Sequence, residues 1–111
     1  MKGFIAYLDT RVEEGRAEIA ELTAEGRNDD ANFAKVRTNI YDVCRTVSRT
    51  LMDRPGAGMN AIAAQLERFR TSWSASLEEA NKHDDISAAV VEETKLAALR
   101  DVIARFREVK A

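Results

Sequence analysis

Apolar residues recur along this chain at steps of three and four in four successive runs, and only short polar interruptions separate the runs. That period places each run on one stripe of an α-helix and is incompatible with the alternation of a half-buried strand. In the first run Phe4, Leu8, Val12, Gly15, Ile19 and Leu22 fall within about 80° of one another on a helical projection. Gly26 then offers a C-terminal stop. The second run is Phe33, Val36, Ile40, Val43, Cys44, Val47 and Leu51. Asn28, Asp29 and Asp30 precede it as candidate N-caps. Asp53-Arg54-Pro55-Gly56-Ala57-Gly58 ends it, because proline cannot continue a helix and two glycines loosen the chain. The third run is Met59, Ile62, Leu66, Phe69, Trp73, Leu77 and Ala80, and His83-Asp84-Asp85 closes it.

The fourth segment, residues 86–109, is helical in composition but carries two apolar faces. Ile86, Val90 and Ala97 lie on one. Leu96, Leu99, Ile103 and Phe106 lie on another, rotated by well over 90°. A monomeric bundle needs one such face. Either the helix breaks near Glu92-Glu93-Thr94-Lys95, or its second face buries something outside the intramolecular core.

Composition agrees with an all-helical reading. One proline and five glycines in 111 residues leave little for the tight turns of a β-domain, and one cysteine excludes an internal disulfide framework. Hydrophobic residues at 45% and charged residues at 32% exclude both a membrane span and charge-driven disorder. The expected architecture is all-α, an up-down-up-down antiparallel four-helix bundle occupying residues 1–111 as one domain. Its helices would each be roughly 35 Å long at 1.5 Å per residue. No signal-peptide core precedes Asp9, so a cytoplasmic location is the expectation, and a lone Cys44 suits a reducing compartment.

Catalytic and metal-binding patterns are sparse. A di-iron bundle needs inward glutamates and two Glu-x-x-His pairs. This chain has one histidine, His83, and Ala80 stands three residues before it. With one cysteine and one histidine a zinc site is also not expected, and neither is any cofactor. His83 reads as a capping residue at a helix C-terminus. Cys44 reads as a small buried side chain. Phe69 and Trp73, with Leu66 and Leu77, read as core. The Trp-x-Gly turn of small secreted helical hairpins is missing, because Trp73 heads Trp-Ser-Ala inside a run.

Charge is uneven along the chain. Residues 1–30 carry four bases against eight acids, and residues 31–60 five bases against two acids; the total is −2. Arg37, Tyr41, Arg45 and Arg49 stack along one edge of the second helix, where arginines interleaved with an aromatic could hold a nucleic acid. Glu14, Glu18, Glu21 and Glu25 form an opposite stripe on the first helix, so the two stripes could instead face each other. The acidic total opposes nucleic-acid binding and attachment to an anionic membrane. The expected function is therefore non-enzymatic association with protein, most simply homodimerisation, through Leu96, Leu99, Ile103 and Phe106. The alternative is a nucleic-acid accessory protein using the Arg37–Arg49 edge.

Overall fold

In the computed structural model, which describes residues 2–56 and 58–110, the chain forms four α-helices: α1 (Lys2–Ala24), α2 (Asn28–Met52), α3 (Gly58–Lys82) and α4 (Ile86–Lys110). They form an up-down-up-down bundle. Among the described residues no helix is long and apolar enough to cross a membrane.

Two of the turns use one device. Gly26 takes a left-handed φ of 75°, and the amide of Arg27 reaches back to Leu22 O at 2.9 Å while that of Gly26 reaches Thr23 O. These two bonds satisfy carbonyls left open at the end of α1. After α3 the pattern repeats: Asp85 N–H donates to Ala80 O at 2.9 Å, Asp84 N–H to Asn81 O, and Asp84 holds φ 53°. Asp85 also caps α4, its Oδ1 accepting from the Ala88 amide at 3.1 Å. His83 does not cap; its Nε2 lies 2.8 Å from Glu79 Oε1, one turn back. Asn28, Asp29 and Asp30 lie inside the first turn of α2 and do not cap it. Arg27 holds the cap position without a side-chain cap and pairs with Asp30 at 2.7 Å.

The α1–α2 hairpin and the α3–α4 hairpin are each packed along their length, and they meet chiefly through α2 and α4. Among the described residues the backbones of α1 and α3 do not approach closely; the two helices lie diagonally across the bundle. The shared core draws on half of every helix: Phe4, Leu8 and Val12; Ile40, Tyr41 and Cys44; Ile62 and Leu66; Ala98, Leu99, Val102 and Phe106. Beyond it the hairpins separate. Leu22, Ala31 and Ala34 make a small cluster belonging to α1 and α2 alone. On α4, Glu92 and Lys95 are half-buried and paired at 3.1 Å, with Lys95 above the ring of Trp73. A charged pair on α4 is a poor continuation of an apolar core. Trp73, expected in the core, is accordingly half-buried, stacked on Phe69 at 5.0 Å.

The molecule is correspondingly open. It measures 44 × 36 × 21 Å with a radius of gyration of 15.1 Å, against about 13 Å for a compact domain of this length. Its accessible surface is 6837 Å², against about 6,100 Å² for a compact monomer of this mass.

Helix α4 is unbroken through Glu92–Lys95, where the Thr94 hydroxyl simply donates to Val90 O at 2.8 Å. In α1, Gly15 is buried against α2, and a Cβ there would overlap Oγ1, Cγ2 and Cβ of Thr38. Gly15→Ala is therefore expected to destabilise by about 1–3 kcal/mol through overpacking, even though alanine gains about 1 kcal/mol of helix propensity. Thr38→Ala in the same chain should recover part of the loss. A denaturant series in which Gly15→Ala raised stability would refute this closest approach. Asp84→Gly should raise stability by about 0.5–1 kcal/mol, because glycine adopts φ > 0 without a Cβ penalty; an unchanged or lower melting temperature would contradict it.

Candidate protein-binding groove

The two faces of α4 are assigned oppositely to the sequence expectation. Leu99 and Phe106 are 1% and 3% exposed, inside the shared core, and cannot present themselves to a partner. Leu96 and Ile103 are half-buried on the flank that meets α3. The face left outside is the other one: Ile86 is 77% exposed, Ala97 is exposed and Val90 half-buried. The spacing reveals two faces but carries no information on which one meets the core. The core takes Ala98, Leu99, Val102 and Phe106 of α4.

Leu96 and Ile103 form, with Leu99, the apolar floor of a groove of about 480 Å³ along the α3–α4 seam. Arg70 and Ser74 of α3 and Arg100, Ala104 and Arg107 of α4 make its rim. A smaller recess continues it past Ile103 and Arg107 towards Leu66 and Phe106. Arg70 bonds Glu67, and that contact holds the Glu67 carboxyl below its ordinary value, with Arg107 adding to the effect. Among the described residues Arg100 and Arg107 form no ion pair. The rim is thus cationic over an apolar floor. Apolar spacing points to Leu96 and Ile103 but not to their flanking arginines. The signal was there: Arg100 and Arg107 keep the seven-residue step of Leu96 and Ile103, which puts both pairs in register on one side of the helix.

The Arg37–Arg49 edge proves to be an internal seam. Tyr41 is 2% exposed, so it offers no stacking face. Arg37 donates to Glu18 at 2.8 Å, Arg45 to Asp42 at 2.7 Å and to Asp9 at 3.2 Å, and Arg49 to Asp9 at 2.8 Å. The acidic stripe of α1 answers this edge in part, through Glu18. Asp9 is the principal partner, and sequence spacing had not nominated it.

A polar network that crosses the core was also not legible. Arg11 Nη2 donates to the Tyr41 hydroxyl at 2.9 Å, and that hydroxyl donates to Asp101 Oδ2 at 3.3 Å. Arg11 stands over the Tyr41 ring, Arg105 over the ring of Tyr7, and Tyr7 packs edge-on against Tyr41. The chemistry of this cluster runs towards neutral, protonated groups. Burial pushes Tyr7 up to about 12, with the Tyr41 hydroxyl adding to the rise. Burial likewise raises Tyr41 against the opposing pull of Arg11. Cys44, fully buried, is pushed up to about 12 by desolvation alone, the reverse of what a nucleophilic thiol requires. Among the described residues no group of three or more His, Cys, Asp or Glu is placed to hold a metal ion.

No protein-family model matches the chain, and no curated protein or solved structure matches it.

The raised tyrosine and cysteine values set the alkaline limit of the fold. An unfolded chain ionises Cys44 from pH 9.0 and the tyrosines from pH 10.0, whereas the folded chain retains the Cys44 and Tyr7 protons to about 12. The unfolded state thus binds fewer protons across that window, and stability falls as pH rises through it. Denaturant midpoints should be flat between about pH 6 and pH 9 and drop steadily above it, and Cys44 should react with a thiol reagent only as fast as the chain opens. Rapid labelling of the native protein at pH 8 would contradict the burial of Cys44.

Proposed function

We propose that this protein is a non-enzymatic helical bundle that works by association with a second copy of itself through the α3–α4 groove. The groove carries the reading: Leu96 and Ile103 form an apolar floor that this chain leaves half-exposed, rimmed by arginine, the cationic residue most favoured at protein interfaces. A reducing cytoplasm suits the buried, unpaired Cys44.

Nucleic acid is the weaker reading. Tyr41 is withdrawn into the core, and Arg37, Arg45 and Arg49 already hold carboxylates.

Light scattering across a concentration series from low micromolar to submillimolar tests the proposal. The mass is expected to rise to at least twice that of the chain. Leu96→Asp and Ile103→Asp, both at half-buried positions, should return it to the single-chain value with helicity retained, and the milder Ile103→Gln should weaken association without loss of fold. A strict monomer at every concentration would overturn the proposal.

A further inference from the structure

On the reading that the groove holds a second copy, we infer that its occupant is the outer face of that copy's first helix, α1. The groove asks for an element with a low apolar ridge and acids at its margins. The outward side of α1 has that composition: Ala17 and Ala24 are exposed along its centre, Glu14 and Glu21 line one margin, and Glu13 stands at the other. Alanines let a helix axis approach Leu96 and Ile103 closely, and the glutamates then fall level with the arginine rim.

The spacing matches as well as the sign. Glu14 and Glu21 are seven residues apart on α1, and Arg100 and Arg107 are seven apart on α4. Seven residues span about 10.5 Å of helix, so both pairs present their charges at one separation. Glu13 on the opposite margin then lies towards α3, where Arg70 is already held by Glu67, so the matched charges are those of Glu14 and Glu21 with Arg100 and Arg107. Helix α1 also has these acids to give. Asp9 and Glu18 are held by arginines of α2, whereas Glu13, Glu14 and Glu21 form no ion pair among the described residues. Three of the eight acids in residues 1–30, Glu13, Glu14 and Glu21, therefore stand uncompensated on a face turned away from the bundle.

The contact joins two different patches, so every copy carries one donor helix and one acceptor groove. A charge exchange tests this directly. Glu14→Lys with Glu21→Lys sets lysine against arginine, and Arg100→Glu with Arg107→Glu sets glutamate against glutamate. Each doubly reversed chain alone should show an apparent dissociation constant raised by at least about tenfold, with the circular-dichroism spectrum and melting profile of a folded bundle. Mixed in equal amounts, the two reversed chains should recover wild-type association, because lysine helices then meet glutamate grooves while the unaltered helices and grooves meet each other. The wild-type assembly should also weaken as sodium chloride is raised. Association abolished by Ile103→Asp but untouched by Glu14→Lys with Glu21→Lys would overturn this inference and leave the groove reading standing. Failure of the mixture to recover association would overturn it too. A wild-type chain that never associates would overturn the groove reading itself.

Discussion

Tyr41 stands where α1, α2 and α4 meet, and each part of it is committed to a different neighbour. Its ring lies under the Arg11 guanidinium and against the edge of Tyr7. Its hydroxyl accepts from Arg11 and donates to Asp101. A buried hydroxyl with both partners made adds modestly to stability, but one that lost a partner would cost about 1–3 kcal/mol. The network therefore penalises any slip of α4 along α2 more than it rewards the native register. The seam between the two hairpins is set at this level, and Ala98, Leu99 and Val102 pack around it. The inward face of α4 follows from that register, and so does the exposure of Ile86.

Close approach is the second constraint, and it acts within one hairpin. Gly15 lets α1 come against Thr38 of α2, and the arginine–carboxylate pairs along the same seam lie within reach because the helices are so near. Pairs as exposed as Arg37–Glu18 contribute little energy individually. Their effect is on partner choice, since they occupy the cationic edge of α2 internally. The arginines of α3 and α4 have no comparable acidic helix beside them. The contrast between a neutralised seam and a cationic groove is a consequence of which helix lies next to which.

The helices themselves were almost fully legible. Stripes at steps of three and four, one proline-glycine interruption and two capping turns placed all four within a few residues of their observed ends. The same local information explains why Gly26 ends α1 and why Asp85 begins α4. What was not legible depends on contacts distant in sequence. Leu99 and Phe106 read as surplus because a pattern on α4 does not say which neighbour crosses it. Tyr41 read as an exposed member of an arginine edge because its partners, Arg11 and Asp101, lie 30 and 60 residues away. Asn28, Asp29 and Asp30 are all good caps by residue type, yet the helix begins at the first of them, a boundary that propensity alone leaves uncertain by a residue or two.

The confinement of the shared core to one half of the bundle divides the chain energetically. Leu22 and Ala34 are held by one hairpin only, and Ala80 and Ala89 lie near the turn of the other. Groups that share no partners perturb stability independently, and elements outside a common core can open below the free energy of global unfolding. Each hairpin end is thus a separate unit of variation. Sequence can drift at one turn without compensation at the other, while the residues around Tyr41 must change together or not at all.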